Sequence, residues 1–387
     1  MRRAALAAAL VLLCGAAPAL DLAKPDGALR VAQFNAALAR PGAGVLVQDL
    51  AEGDAQADAV AEIIQRVRPD ILLINELDRD PEGRALALFR DRLARATGAV
   101  PGLDYPHAVQ PAQNTGVFSG LDLDRDGEAA GPRDAWGYGR FPGQYAMAVL
   151  SRWPMGQVRS FSRLRWAEMP GARRPVLPDG TPFHPDDVWA RLRLSSKTHL
   201  AVEILLPSGP LWLLAAHPTP PVFDGPEDRN GRRNADAIRL IRAILDGADW
   251  LVDDAGQGGG LPPGVPVVVA GDLNADPRGG DGIRAAIRAL LAHPRLRDPR
   301  PASPGAAAAG SPRAGDPALA TADWPEPPRG PGNLRADYVL PSADLEVLGA
   351  GVFWPAPDDP LARLIGRRGR DLVSSDHHLV WVDLAVP

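Results

Sequence analysis

An apolar run near the middle of the chain is followed by two polar side chains that could do chemistry. Val267 to Ala270 are apolar, and Gly271, Asp272 and Asn274 come next. Short apolar runs of this kind are typical of buried strands. Because successive side chains of a strand alternate between its faces, we expect Asp272 and Asn274 to point to the same side. A carboxylate that handles a proton, beside an amide that holds an oxygen, suits an anionic substrate.

Polar side chains also lie at the ends of other predicted strands. Carboxylate and amide oxygens are the ligands that Mg²⁺ and Ca²⁺ prefer, and histidines can transfer protons or stabilise negative charge. A buried aspartate can orient such a histidine. Any one of these residues alone is more often a helix-capping or turn residue, but a whole series favours a single site. Cysteines and clustered histidines are missing, so a zinc site is not expected. The candidates are Asn35, Glu76, His217, Asp337, Asp376 and His377.

Predicted strands and helices interleave along the chain. Strands are predicted at 29–35, 71–76, 145–150, 211–217, 267–270, 335–340 and 379–384. Helices are predicted between Asp54 as N-cap and Pro69, and at 84–96, 231–245 and 282–291. If the polar strand ends form one site, residues from both ends of the chain meet in it.

This arrangement favours a single mixed α/β domain over residues 20–387 rather than two domains. Long insertions are expected near 101–142, 160–196 and 299–331. The last of these is dense in proline, alanine and glycine, so we expect a mobile surface loop.

The first residues have the pattern of a secretory signal peptide. Arg2 and Arg3 precede the apolar run 4–13, and Ala17-Pro18-Ala19 is a small-residue cleavage site. A signal peptide at 1–19 predicts a secreted or periplasmic protein without stable membrane insertion, and a retained anchor is the alternative. The only cysteine, Cys14, lies inside this segment, so the mature chain would have no disulfide.

Composition limits the classes of function that remain. The 387 residues are 45% hydrophobic and 23% charged, as in ordinary globular proteins. Removing the two N-terminal arginines would take the formal net charge from −5 to −7. An acidic chain argues against a stoichiometric DNA-binding protein, but not against a metal-dependent enzyme, because a bound cation can reverse the local field.

The order of the motifs resembles the endonuclease/exonuclease/phosphatase superfamily. Its members include DNase I, abasic-site endonucleases, neutral sphingomyelinases and inositol polyphosphate phosphatases. The histidine motif is similar to the DNase I and sphingomyelinase branches, and Asn75 stands where the family most often has glutamine. The motifs are Gln33-Phe34-Asn35, Asn75-Glu76, His217-Pro218, Gly271-Asp272-Leu273-Asn274, Asp337-Tyr338 and Ser375-Asp376-His377.

The resemblance implies a fold and a reaction. The fold is a DNase I-like four-layer α/β sandwich, with two packed mixed β-sheets flanked by helices. The reaction is phosphoester hydrolysis with a divalent cation, usually Mg²⁺, with Mn²⁺ or Ca²⁺ as alternatives. Glu76 would be the principal metal ligand, assisted by Asn35 and Asp376.

The resemblance also implies the catalytic groups. His377 would be the catalytic histidine, paired with Asp337, and His217 would join it. Asp272 would contact the nucleophilic water or the leaving group, and Asn274 would contact phosphate oxygens.

Several functions are compatible with this set of residues. The leading hypothesis is a secreted, nuclease-like phosphodiesterase that acts on nucleic acid as a monomer. The alternatives are a phosphoesterase for a phospholipid or a sugar phosphate, and a catalytically inactive binding protein on the same fold.

Two further motifs lie outside this set. Asp122, Asp124 and Asp126, followed by glycine, match the first half of an EF-hand-like calcium loop. Position 12 is Arg133 and Asp134 comes one residue later, so the second half departs from the pattern and a polar turn is the alternative.

The other motif is a group of arginines after His217. Arg229, Arg232 and Arg233 lie where a helix is predicted to begin, and such a group can bind phosphate. A solvated helix start with local ion pairs is the alternative.

Overall fold

The computed structural model describes residues 19–310, 315–367 and 371–385. The predicted signal peptide, Ala19 excepted, lies outside these ranges. None of the helices within them is long and apolar enough to cross a bilayer.

Two β-sheets lie at the centre of the molecule. The strands are β1 Leu29–Leu38, β2 Ile71–Leu77, β3 His107–Val109, β4 Ala148–Ser151, β5 Met155–Ser160, β6 His199–Leu206, β7 Gly209–Ala216, β8 Val267–Asp272, β9 Asp337–Pro341, β10 Val347–Val352, β11 Gly366–Arg367, β12 Asp371–Leu372 and β13 Val380–Leu384. One sheet has the order β10-β13-β1-β2-β4-β3 and the other β5-β6-β7-β8-β9, while β11 and β12 pair only with each other.

Helices cover the outer face of each sheet. They are α1 Val45–Glu52, α2 Ala55–Val67, α3 Arg84–Ala94, α4 Asp186–Trp189, α5 Arg229–Leu245, α6 Arg284–Leu291 and α7 Pro304–Ala309. Apolar residues of α1, α2 and α3 pack on the six-stranded sheet, and those of α5 and α6 pack on the five-stranded sheet. A third core, which includes Val31, Leu73, Leu213 and Val268, fills the space between the sheets. The predicted four-layer α/β sandwich is confirmed.

Local signals place most elements where the sequence predicts them. Asp54 caps α2, because its carboxylate accepts a hydrogen bond of 2.7 Å from the backbone N–H of Ala57. The helix ends at Val67, two residues before Pro69. Nine of the elements given above have no predicted counterpart: α1, α4, α7, β3, β5, β6, β10, β11 and β12. Of these, β6 forms a hairpin with β7.

The directions of the strands bring the candidate residues to one edge. β1 and β2 are parallel, as are β7 and β8, so each pair ends at the same edge of its sheet. β13 runs antiparallel to β1 and β9 runs antiparallel to β8, so both begin at that edge. In the β8–β9 register, Asp272 lies opposite Asp337.

The segment 299–331 differs from the predicted mobile surface loop. It contains α7, and Thr321 is buried. The backbone N–H of Asp323 donates a hydrogen bond of 2.8 Å to the carbonyl of Asp376. Outside residues 311–314, the prediction of a surface loop is therefore wrong in part, because alanine and glycine here allow close packing: a Cβ atom at Gly305 would lie 2.2 Å from the Trp354 ring.

Candidate active site

The candidate site is built around Asp272, the last residue of β8. A Cβ atom on the preceding Gly271 would lie 1.9 Å from the carbonyl oxygen of Ala216 in β7, so glycine is needed for the strands to approach. The strand therefore continues through Gly271, where the sequence predicted its end. Asn274 follows the strand with a left-handed backbone, φ 49°. The alternation of side chains along a strand thus does not extend to Asn274, although Asp272 and Asn274 line the same cavity.

Three side chains converge on one oxygen of Asp272. Its Oδ2 lies 3.0 Å from Asn35 Nδ2, 3.3 Å from His217 Nε2 and 3.7 Å from His377 Nε2. Asp272 is 1% exposed, and burial alone would raise its pKa. The nearby histidines His377 and His217 outweigh burial and hold the pKa of Asp272 well below its usual range. Asp272 is therefore a carboxylate throughout the neutral pH range.

His377 is held from behind by a buried carboxylate. Its Nδ1 lies 2.9 Å from Asp337 Oδ2. That oxygen also accepts a bond of 2.7 Å from the Thr321 hydroxyl, and Asp337 Oδ1 accepts one of 3.0 Å from Gln33 Nε2. Burial opposes the charged imidazole, but the carboxylates of Asp337 and Asp272 prevail and raise the pKa of His377 well above its usual value. His377 is therefore oriented and positively charged at neutral pH.

His217 has the opposite electrostatic environment. It follows β7 directly and is 2% exposed. Burial and the nearby ammonium of Lys197 lower the pKa of His217, despite its contact with Asp272. The two histidines beside one carboxylate thus favour different charge states. Such a separation is typical of sites where two like groups have different roles.

Glu76 lies in β2 with an unusual backbone. Its φ is 60°, a conformation that costs a non-glycine residue about 1–3 kcal/mol. Its Oε1 accepts a hydrogen bond of 3.2 Å from Asn35 Nδ2 and lies 4.0 Å from His217 Nε2. The Glu76 side chain is 25% exposed, whereas those of Asp272 and His217 are each 1% exposed. Strained backbones of this kind cluster at functional sites, where the rest of the fold holds them.

Asn35 lies before an irregularity in β1. The strand continues to Leu38, beyond the predicted end, and its register against β2 shifts between Asn35 and Leu38. Ala37 in this stretch has φ 49°, and its backbone N–H donates 3.2 Å to Asn35 Oδ1. Bulges re-aim side chains next to active sites, and this one turns the Asn35 amide toward Glu76 and Asp272.

Asp376 also lines the first cavity. Its Oδ2 accepts a hydrogen bond of 3.0 Å from Trp324 Nε1. The Trp324 ring also packs edge-on against His377, with centroids 5.2 Å apart at 83°. The cavity has a volume of about 680 Å³, and its lining includes Glu76, Asp272, Asn274, Asp376 and His377.

A buried asparagine fixes the loop that carries Asn274. Asn234 of α5 donates hydrogen bonds of 2.9 Å to the carbonyls of Thr219 and Leu273. Asn274 donates from Nδ2 to the carbonyl of Pro218 at 3.2 Å, and its backbone N–H donates 2.9 Å to Asp272 Oδ1. Asn234, Thr321 and Trp324 could not be predicted, because nothing in their local sequence marks a contact with residues this distant.

Lys197 is a further candidate that the sequence analysis missed. It is 7% exposed and lines a second cavity, of about 520 Å³, together with Glu76. Burial lowers the pKa of Lys197 to about 8, although Glu76 and Asp272 act in the opposite direction. A signal was present, since Lys24 and Lys197 are the only lysines in a chain rich in arginine.

The predicted phosphate-binding arginines lie around the second cavity. Arg229 and Arg233 are among its lining residues, and Arg232 is not. Arg229 forms an ion pair with Glu227. Arg233 donates 2.9 Å to the carbonyl of Leu194 and also contacts other main-chain carbonyls. These contacts use part of their donor capacity within the protein, so phosphate binding by the three arginines stays a prediction.

The predicted calcium loop lies in the segment between β3 and β4. Carboxylate oxygens of Asp122, Asp124 and Asp126 lie within 4.8 Å of one another. Leu123 and Arg133 of the same segment line the second cavity. The loop is therefore part of that cavity's wall and contributes nothing to the lining of the first cavity.

Glu76 and Asp376 suit a hard divalent cation. Both line the first cavity, and within the described ranges neither pairs with an arginine or a lysine. Mg²⁺ binds through one or two carboxylates and keeps several waters, which such an open pair allows. Asn35 points its Nδ2, not its Oδ1, at the carboxylates of Glu76 and Asp272, because ionised carboxylates attract a hydrogen-bond donor. Its role as a ligand therefore stays a prediction.

Comparisons with known proteins agree with this geometry. A model of the endonuclease/exonuclease/phosphatase family matches residues 32–377. Among solved structures, an endonuclease/exonuclease/phosphatase from Beutenbergia cavernae DSM 12333 has a TM-score of 0.51 and 20% identity, with 93% of this chain and 72% of that chain covered. That similarity supports the fold alone.

Two other solved structures show weaker similarity. An endonuclease/exonuclease/phosphatase family protein from Leptotrichia buccalis C-1013-b has a TM-score of 0.48 and 15% identity, covering 92% of this chain and 99% of that one. Sphingomyelinase C from Streptomyces griseocarneus has a TM-score of 0.44 and 15% identity, also covering 92% and 99%. No curated protein sequence matches this chain.

Proposed function

We propose, from the premise that this chain belongs to the endonuclease/exonuclease/phosphatase family, that it hydrolyses phosphodiesters with the help of a divalent cation. Members of this family hydrolyse phosphoester bonds and depend on divalent metals. The observation that carries the proposal is the convergence of Asn35, His217 and His377 on Oδ2 of Asp272, which lines the first cavity. Mg²⁺ is the proposed metal, and nucleic acid is the proposed substrate.

The cation belongs on the Glu76 and Asp376 side of the cavity. When bound, it neutralises charge on the non-bridging oxygens of the phosphate and on the leaving group. Glu76 and Asp376 would hold it, and Trp324 fixes the Asp376 carboxylate through its hydrogen bond.

The protein's own groups orient the water and the phosphate. Asp272 accepts a hydrogen bond from the attacking water and aligns it for in-line attack. Because the pKa of Asp272 is held low, it is a weak base, so its main contribution is orientation. His377, fixed by Asp337, places a positive charge where negative charge develops on the phosphate. Asn274 contributes a carboxamide at the same wall.

Metal dependence gives the first test of this proposal. Hydrolysis of bis-p-nitrophenyl phosphate by the purified chain is expected with Mg²⁺, to stop with EDTA and to return when Mg²⁺ is added in excess. Release of p-nitrophenolate measures the rate. Hydrolysis is also tested with DNA, RNA, a phospholipid and a sugar phosphate, each with Mg²⁺, Mn²⁺ or Ca²⁺. If neither these substrates nor this diester are hydrolysed, the alternative of an inactive binding protein is favoured.

A substrate panel separates nucleic acid from phospholipid and sugar phosphate as the substrate. We propose the nuclease-like activity because the cavity lies beside a second one with basic side chains, Lys197, Arg229 and Arg233, which suits a polyanion. A preference for a phospholipid or a sugar phosphate over DNA and RNA would favour a phosphoesterase for that substrate instead. Secretion after cleavage at Ala19, and a monomeric state, are further proposals from the sequence.

Lys197 is expected to bind an anionic group of the substrate. Lys197→Met should raise KM for DNA by about 10- to 100-fold at pH 7, which corresponds to the free energy lost with one hydrogen bond to a charged group. In the wild-type chain the ammonium loses its proton as the pH rises through about 8, so KM should rise there. Initial rates between pH 6.5 and 9.5 measure both effects, and in Lys197→Met that rise in KM should be missing.

The other lysine supplies the matched control. Lys24 pairs with Asp70, and neither residue is among those that line the two cavities. Lys24→Met should therefore leave KM and its pH dependence unchanged. The same pH-dependent rise in Lys197→Met as in wild type would rule out Lys197 as its source.

A further inference from the structure

The acidic loop between β3 and β4 has a fourth carboxylate that its sequence pattern does not include. Asp122, Asp124 and Asp126 bring oxygens within 4.8 Å of one another. Opposite ligands around Ca²⁺ lie about 4.6–5.2 Å apart, so three oxygens this close can share one ion. Acidic loops occur without ions, so this cluster does not establish a site by itself. The additional observation concerns Asp134.

Asp134 is fully buried next to this loop. It is 0% exposed, and its Oδ1 accepts a hydrogen bond of 2.7 Å from the backbone N–H of Leu123, between Asp122 and Asp124. Among the residues that the structure describes, no group donates a hydrogen bond of normal geometry to its Oδ2, although the backbone N–H of Ala130 lies near the carboxylate. A buried carboxylate oxygen without a partner costs free energy unless an ion or water satisfies it.

The charged groups nearest to Asp134 favour a cation as the partner of this oxygen. The carboxylates of Asp124 and Asp122 lie close enough to act on Asp134 electrostatically, so negative charge is concentrated here. The positive side chain that pairs with the loop is Arg133, whose Nη1 lies 3.7 Å from Asp124 Oδ2. Arg133 is 71% exposed, so water screens its charge and it compensates the carboxylates weakly.

We propose that this loop binds a structural Ca²⁺ through Asp122, Asp124 and Asp126, and that Asp134 completes the site. Four carboxylates supply the hard oxygens that Ca²⁺ prefers, in a number and flexibility that Mg²⁺ tolerates poorly. The closing carboxylate comes one residue later than in the EF-hand pattern. The turn Pro132–Asp134 and the bond to Leu123 N–H place Asp134 beside the loop despite this offset, outside the 4.8 Å group that the other three carboxylates form.

The site has a structural consequence for the cavity beside Glu76. Leu121 and Leu123 of the loop pack in the core that α5 forms with the five-stranded sheet. Leu123, Arg133 and Ala135 line the second cavity. An ion that ties Asp134 to the loop thus holds this wall in place, at a position separate from the proposed catalytic metal.

Calcium titration of the full chain tests this inference directly. Isothermal titration calorimetry with CaCl₂ is expected to show a site that persists in Glu76→Gln, which removes the proposed catalytic ligand. Asp124→Asn and Asp134→Asn should each weaken calcium binding at this site about tenfold or more, since charge count sets affinity. Glu128→Gln is the matched control, because it removes an exposed acid of the same loop and should leave the affinity unchanged.

Thermal unfolding supplies a second readout. Calcium should raise Tm of the wild-type chain, of Glu76→Gln and of Glu128→Gln, but not of Asp124→Asn or Asp134→Asn. In Asp134→Asn, the side-chain amide oxygen can still accept the hydrogen bond from the Leu123 N–H. If Asp134→Asn does not fold, Asp126→Asn, at an exposed position, tests the proposal instead. Calcium affinity of Asp134→Asn equal to that of Glu128→Gln would remove Asp134 from the site. An absence of calcium binding in both wild type and Glu76→Gln would overturn the proposal, whatever the phosphodiesterase assays show.

Discussion

Replacing His377 with alanine is expected to reduce phosphodiesterase activity by about 10²- to 10⁴-fold. The reason is geometric and electrostatic: the ring is fixed at 2.9 Å from Asp337 Oδ2, is 5% exposed and carries its charge toward Asp272. Removing it leaves Asp337 without its imidazolium partner and the phosphate without that charge. The kcat/KM for bis-p-nitrophenyl phosphate with saturating Mg²⁺ measures the loss.

A second histidine–aspartate pair, with a buried histidine and an exposed aspartate, provides the control for this variant. His293 Nε2 lies 2.9 Å from Asp246 Oδ1, and His293 is 4% exposed. Neither residue lines the two cavities. His293→Ala should therefore lower Tm but leave kcat/KM near wild type. A folded His377→Ala that loses no more activity than His293→Ala would exclude His377 from catalysis.

Replacing Glu76 with glutamine is expected to weaken activation by Mg²⁺ by at least about 100-fold. Mutating a residue that only hydrogen-bonds to a metal ligand typically costs 10–100-fold in metal affinity or activity, and Glu76 is proposed as a ligand itself. Glutamine keeps the shape of the side chain and its bond from Asn35 but removes the charge. Initial rates against Mg²⁺ concentration should show a shifted midpoint, with partial recovery at high Mg²⁺.

The stability of this variant separates a metal ligand from a structural carboxylate. Without a cation, Glu76 and Asp272 repel each other across Asn35, so Glu76→Gln should keep or raise Tm in EDTA. Glu82→Gln, an exposed acid after β2, is the control for the Mg²⁺ midpoint. A wild-type midpoint in Glu76→Gln, or a large drop in Tm in EDTA, would mean that Glu76 does not bind the metal.

The segment 299–331 shows where composition misled the sequence analysis. Its proline, alanine and glycine predicted a mobile loop, yet Thr321 and Trp324 support Asp337 and Asp376. Composition reports the local preferences of a backbone. It does not report which distant side chains a segment packs against.

The sequence alone determined the mixed α/β class and the types of chemical group available, because both depend on local pattern and intrinsic chemistry, and the resemblance to a known family implied the four-layer arrangement. Apolar periodicity marks most of the strands and helices wherever they lie. Carboxylates and histidines that recur at strand ends, in an order resembling a known family, predicted Glu76, Asp272 and His377 as members of one site.

Only the tertiary structure decided how these groups behave. Gln33 bonds to Asp337 across 304 residues of sequence, and no local pattern predicts such a contact. Burial and neighbouring charges give His217 and His377 opposite pKa shifts, although the two side chains are chemically identical. Lys197 and Asp134 likewise became candidates through their surroundings. Charge state and role depend on desolvation and on neighbours brought together by folding. The sequence therefore identified the residues but not their charge states or roles.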